Sequence, residues 1–101
     1  MDAVHETGAK FALEIYHPGC QGVPALCEDG MLVSPSGQES KLLHAPTRAL
    51  SAEEMEGVVE DFVSAGVRSW EAGFDAVELH CAHGYLLCQF LSPYTNHRDD
   101  E

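Results

Sequence analysis

SAEEMEGVVEDFVSAGVRSWEAGFDAVEL, residues 51–79, decides the fold. Ser51 followed three residues later by Glu54 is a capping box, and Glu53, Glu54 and Glu56 sit where a helix N-terminus favours negative charge. Apolar side chains then recur at Met55, Val58, Val59, Phe62, Val63, Val67 and Trp70, one face of a helix at period 3.6, which places Phe62 and Trp70 in the core. Gly73 is suited to end the helix, and Phe74 to Leu79 (FDAVEL) turns to strand character. The acidic cluster from Glu53 to Asp61 reads as a solvated helix face.

Upstream, Phe11 to Tyr16 (FALEIY) is a short apolar and aromatic run of strand length, stopped by Pro18 and Gly19 and expected to be buried on both faces apart from Glu14. Before it, Asp2 to Thr7 reads as the end of a helix closed by Gly8. The order strand, crossover helix, strand predicts a parallel, right-handed pair. Chemistry in parallel α/β folds gathers at the carboxyl ends of the strands, here Glu14 to His17 and His80 to Tyr85.

From His17 to Leu50 the chain holds four of its five prolines, with Gly22, Gly30, Gly37 and several serines, and reads as one long loop. Loops of this length are usually functional. No internal repeat or low-complexity run is present, and 101 residues suffice for one small domain only.

Seventeen acidic residues against five Lys and Arg give a net charge of −12, which repels nucleic-acid backbones and anionic membrane surfaces. A hydrophobic fraction of 45% with 22% charged residues is that of a chain that packs. No apolar run approaches the roughly 20 residues of a membrane span, and the N-terminus lacks a basic segment followed by an apolar one, so the cytoplasm is the expected compartment. Cys20, Cys27, Cys81 and Cys88 form two pairs with six intervening residues, neither a CxxC site nor a dense disulfide framework, and read as reduced thiols.

The second strand end reads His80-Cys81-Ala82-His83-Gly84-Tyr85. Two imidazole N–H groups can converge on a carbonyl oxygen and stabilise charge that develops there when a conjugated alkene accepts hydride, while a phenol with pKa near ~10 can protonate the resulting carbanion. The same cluster also fits a metal ligand set or a hydrogen-bonded loop anchor, and the residues alone leave the three open.

The stretch DAVELHCAHGYLLCQFLSPYTNHRDDE, residues 75–101, closely resembles the old yellow enzyme family, in particular its NADH:flavin oxidoreductase and dienoyl-CoA reductase branch. GAKFALEIYHPG at 8–19 and the helix at 51–75 resemble it too, leaving only the loop from Cys20 to Thr47 unspecific. The resemblance implies a partial (β/α)8 TIM barrel, residues 1–101 supplying about the third and fourth strands with the intervening helix. It further implies an FMN-dependent oxidoreductase in which NADH or NADPH reduces the flavin, and the flavin passes hydride to an electrophilic alkene such as an enone or enoyl thioester.

Carried over by position, His80 and His83 are expected to hold the acceptor's carbonyl oxygen and Tyr85 to donate the proton. His17, beside the first strand end, fits either a contact to flavin or substrate or a solvated loop position, and Asn96 and Arg98 are expected to anchor the loop after the fourth strand. Two positions depart from the family: Glu14 stands where a glutamine usually meets the flavin's pyrimidine edge, and Cys20 where an arginine commonly follows the His-x-Gly turn. Ionised Glu14 only accepts hydrogen bonds, so it serves flavin N3–H but repels the neighbouring carbonyl oxygens. A full barrel needs about 250 residues, with its phosphate site after strands seven and eight. The chain is therefore expected to work with the remainder of the barrel or a partner chain, and to be inactive alone. No resident metal is expected. The rival reading is a non-enzymatic metal-binding module using His17, Cys20, Cys27, His80, Cys81 or His83.

Overall fold

The computed structural model describes residues 1–100, which divide into two compact units.

The first unit comprises Met1–Ile15 and Glu53–Leu79 and contains the expected strand, helix, strand motif. A short helix α1 (Asp2–His5) is followed by Gly8 at φ 79° and by strand β1 (Ala12–Ile15). Helix α2 (Ala52–Glu71) follows Ser51 and carries Glu53 and Glu54 in its first turn. Its C-terminus closes as a Schellman motif: Gly73, at φ 85°, donates its N–H to Trp70 O at 2.9 Å, and Phe74 N–H reaches back to Ser69 O at 3.1 Å. The last strand of this unit, β4 (Ala76–Leu79), runs parallel to β1 in the register Ala12↔Ala76 to Ile15↔Leu79.

Asp75 pins the two strand entrances together. One carboxylate oxygen accepts from Lys10 Nζ at 2.8 Å, and the other from His5 Nε2 at 2.8 Å and Phe11 N–H at 3.0 Å. Asp75 N–H returns to Phe11 O at 2.9 Å, while the rings of Phe11 and Phe74 stack with centroids 5.6 Å apart. The bond from Lys10, with those from Phe11 and His5, holds the Asp75 carboxyl well below the ordinary carboxylate range.

Two expectations of burial are corrected here. β1 alternates exposed and half-buried residues and β4 is exposed throughout, where β1 was expected to be buried on both faces. On α2, Met55, Val58 and Phe62 are half-buried, but Val59, Val63 and Val67 are exposed and Trp70 is 78% exposed. The apolar stripe of α2 is wider than two strands can cover, so Trp70 stands outside the core expected for it.

The second unit runs from Tyr16 to Ala52 and from His80 onward. The expected long loop is more structured than its composition suggests. Strand β2 (Leu32–Ser34) pairs in parallel with β3 (Thr47–Ala49), Ser40 bridges Ala45, and 3-10 turns occupy Gly19–Gln21 and Pro24–Leu26. Side chains support these three-residue strands. Ser34 Oγ and Thr47 Oγ1 share a buried hydrogen bond of 2.7 Å, and Gly37 N–H donates to Ser34 Oγ at 2.9 Å. Leu32, Leu50 and Leu86 form the buried apolar centre.

Helix α3 (Leu86–Leu91) starts where Leu86 N–H donates to His17 O at 2.9 Å. Beyond it, Asn96 Nδ2 donates to Phe90 O at 2.9 Å, and the Arg98 guanidinium bonds the carbonyls of Pro35 and Leu50 while pairing with Asp100. Asn96 and Arg98 thus tie the segment after α3 to the rest of this unit. Among the described residues, no helix is long and apolar enough to cross a membrane.

Candidate active site

Within the second unit the residues directly following β1 and β4 in the chain form one cluster of rings. His80 and His83 lie with ring centroids 5.0 Å apart, His80 and Tyr85 4.9 Å apart edge to face, and Tyr16 and Tyr85 4.8 Å apart. Tyr16 also lies 6.2 Å from His80. The cluster therefore unites His80, His83 and Tyr85, as expected, and adds Tyr16. The only sequence signal for Tyr16 is an aromatic residue immediately beyond a strand.

Hydrogen bonds fix the tautomers of the two imidazoles. Ala82 N–H can only donate, and it points at His80 Nδ1 at 3.2 Å. Neutral His80 then carries its proton on Nε2, which lies 3.2 Å from His83 Nδ1. His83 accepts there and holds its own proton on Nε2. In this geometry the His80 proton is directed at His83 and the pair carries its other proton on His83 Nε2, rather than holding two N–H groups side by side.

The backbone beneath is unusual: His83 at φ 55° and Gly84 at φ 74° are consecutive left-handed residues. This conformation costs a non-glycine residue roughly 1–2 kcal/mol. It turns the chain so that Tyr85 becomes the N-cap of α3, with Tyr85 N–H 3.3 Å from Ala82 O. Two glutamines hold this turn, Gln21 through the carbonyls of His83 and Gly84 at 2.9 and 2.8 Å, and Gln89 through Gly84 O at 2.7 Å. Gln89 interrupts the apolar run Leu86–Leu91, a legible signal of a buried polar group, whereas nothing in the sequence marks Gln21.

His17 accepts Gly19 N–H on Nδ1 at 3.0 Å, which leaves its neutral form protonated at Nε2, and its carbonyl receives the first amide of α3. Glu14 belongs to the other unit, where it stands in register with Glu78 across the parallel pair. Neighbouring like charges of this kind disfavour the pairing. A carboxylate such as that of Glu14 can accept from an N–H of the flavin N3 kind and has nothing to donate to carbonyls beside it, so its chemistry would fit FMN at one atom only.

The four cysteines are free thiols. Among the described residues no group of three or more His, Cys, Asp or Glu is placed to hold a metal ion.

The parallel strand, helix, strand motif with a His-x-x-His-x-Tyr cluster after its second strand is a segment of a TIM barrel of the old yellow enzyme type. All of residues 1–101 match the NADH:flavin oxidoreductase / NADH oxidase family, and the chain belongs to it. It is 44% identical over 100 residues to an NADH oxidase of Thermoanaerobacter brockii, covering 99% of this chain and 15% of that protein. Against an NADPH dehydrogenase of Bacillus subtilis it is 38% identical over 100 residues, covering 99% of this chain and 28% of the relative. Among solved structures, morphinone reductase in complex with tetrahydroNAD matches with a TM-score of 0.89 at 34% identity, over 98% of this chain and 32% of that one. Old Yellow Enzyme from Pichia sp. matches with a TM-score of 0.84 at 29% identity, over 98% and 28%. The chain thus spans less than a third of the length of each of these proteins.

Proposed function

We propose that these residues supply the acceptor-binding and proton-donating side of an FMN-dependent NAD(P)H oxidoreductase that reduces activated alkenes, such as enones or enoyl thioesters. The observation that carries this reading is the His80–His83–Tyr85 cluster: a tautomer-fixed imidazole pair beside a phenol on one tight turn. Names of relatives such as NADH oxidase, NADPH dehydrogenase and morphinone reductase support the reaction class.

FMN bound here would supply the hydride chemistry, with NADH or NADPH as the source and the acceptor's β-carbon as the destination. The protein residues do the rest. His83 Nε2–H donates to the acceptor's carbonyl oxygen, with His80 holding that imidazole in the right tautomer, so charge arriving on the oxygen meets a preorganised dipole. Tyr85 gives its phenolic proton to the α-carbon and recovers it from solvent. Glu14 receives flavin N3–H, and His17 is the residue of the first strand end that contacts flavin or acceptor. The remainder of the barrel, or a partner chain, supplies the phosphate site.

The test is a chimaeric barrel in which residues 1–101 replace the matching segment of the Bacillus subtilis NADPH dehydrogenase. The expected result is a yellow protein whose NADPH-reduced flavin is reoxidised anaerobically by 2-cyclohexenone. A chimaera that binds FMN and is reduced by NADPH yet leaves the enone untouched would overturn the proposal.

A further inference from the structure

Two carboxamides grip the turn that carries His83 and Tyr85, and neither belongs to the cluster itself. Gln21, from the 3-10 turn after His17, donates through Nε2 to the carbonyls of His83 at 2.9 Å and Gly84 at 2.8 Å. Gln89, on α3, donates to Gly84 O at 2.7 Å and reaches Pro18 O at 3.5 Å, while its own oxygen accepts Cys20 N–H at 3.4 Å. Gln89 is 2% exposed. A carboxamide buried that deeply is tolerated because its donors and acceptor are matched.

The glycines give an independent sign that these approaches are built in. A Cβ at Gly84 would stand 2.5 Å from Gln21 Nε2, and one at Gly19 would stand 2.6 Å from Gln89 Oε1. Both backbones lie so close to the carboxamides that a Cβ would push the amide out of place, and both adopt positive φ, 74° and 57°, which disfavours any other residue. Between them, His83 takes a left-handed conformation that its own Cβ disfavours, with its carbonyl held by Gln21.

We propose that Gln21 and Gln89 are positioning residues for the acceptor: by clamping the carbonyls of His83 and Gly84 they hold the turn that aims His83 Nε2–H and the Tyr85 phenol at one ligand. This rests on the reading of the cluster given above. Gln21 sets the His83 side, and Gln89 joins the turn to the Pro18–Cys20 backbone that follows His17.

Gln21→Glu tests the idea in the FMN-loaded chimaera, because it keeps the shape and replaces the two N–H donors of Nε2 by one carboxylate oxygen facing two carbonyls. Flavin reoxidation by 2-cyclohexenone should slow by about 10- to 100-fold at pH 8, the scale of a small misplacement of catalytic groups. It should recover as pH falls and the introduced carboxyl regains one donor, while reduction by NADPH is unchanged. Gln21 lines a cavity of about 280 Å³ with the titratable Cys20, Glu39, Lys41, Cys88 and Tyr94, and His83 lies on the clamped turn. All of these are also present in the unsubstituted protein, so the added pH dependence belongs to the introduced group. Gln21→Asn, a shorter amide, should restore part of the rate without pH dependence.

Wild-type reoxidation at every pH in Gln21→Glu would overturn the proposal, as would equal slowing of both half-reactions. If the unsubstituted chimaera itself fails to reduce the enone, the functional reading falls. The positioning is then decided by the imidazole ¹⁵N spectrum: shifts of His83 in Gln21→Glu support it, and an unmoved His83 overturns it.

Discussion

His80 Nε2 lies 3.2 Å from His83 Nδ1, and the Ala82 amide lies 3.2 Å from the other nitrogen of His80, so one backbone N–H sets the tautomers of both rings. The prediction is a neutral pair in which each ring is protonated at Nε2. Long-range ¹H–¹⁵N correlation spectra of the chimaeric barrel above pH 8 should show the Nδ1 of both residues as unprotonated, pyridine-like nitrogens. A protonated Nδ1 on His80 would mean that the Ala82 contact is not made. Adding a ligand with a carbonyl oxygen should then shift His83 Nε2 far more than His80 Nε2.

The strand entrances carry a different prediction. The Asp75 carboxyl is held well below the ordinary carboxylate range, first by the bond from Lys10 and then by those from Phe11 and His5. A group whose folded pKa lies below its unfolded value contributes stability above the unfolded value, and loses it as pH falls through the folded one. The contribution should therefore be complete at pH 7 and be lost progressively as pH falls through and below the ordinary carboxylate range. Asp75→Asn should lower the melting temperature at pH 7 and flatten the acid limb of a plot of melting temperature against pH. Parallel curves for the two proteins would show that Asp75 is not linked to folding.

How much of this was legible in the sequence differs by element. α2 could be read because its signals are local: Ser51 and Glu54 at one end, the 3.6-residue stripe, and Gly73, which indeed takes a positive φ. β1 and β4 lie inside the runs that announced them, Phe11 to Tyr16 and Phe74 to Leu79. β2 and β3 left no trace, because three residues are too few to alternate and their pairing depends on Ser34 meeting Thr47 thirteen positions away. Trp70 was misplaced because periodicity tells which face is apolar and not how much of it a neighbour covers. At the site, ring chemistry announced His80, His83 and Tyr85, but the left-handed backbone at His83 and its carboxamide support are tertiary facts.

Glu14 permits a test of the flavin edge. Its strand register beside Glu78 puts two carboxyl groups on neighbouring positions of a parallel pair, and at the flavin edge proposed for it an acceptor-only side chain would leave the pyrimidine carbonyls without a donor. Negative charge near that ring disfavours the reduced, anionic cofactor. Glu14→Gln in the chimaeric barrel should raise the flavin midpoint potential and tighten FMN binding by about tenfold, equivalent to ~1.4 kcal/mol. A potential that stays put or falls in a dye-coupled redox titration would remove Glu14 from the flavin edge.

The phenol of Tyr85 packs edge to face with His80, two residues beyond His83 in the chain, and its proposed role as proton donor rests on this placement. A hydride delivered to the β-carbon of an enone leaves a carbanion at the α-carbon, which must be protonated for the product to leave. General acid catalysis contributes about 10²- to 10⁴-fold in rate, so Tyr85→Phe should slow enone-driven reoxidation of the flavin by that order. Reduction by NADPH involves no such proton and should be little changed, and the two half-reactions separate cleanly in anaerobic stopped-flow absorbance. A quinone acceptor supplies the control, because its oxygens take protons directly from water and its reduction should survive the substitution. Tyr85→Phe keeps the ring that packs on His80 and Tyr16, so flavin content and fold should be retained. Should the variant slow quinone and enone equally, or leave the enone rate intact, Tyr85 would be a packing residue, and the proton would come from solvent or from His83.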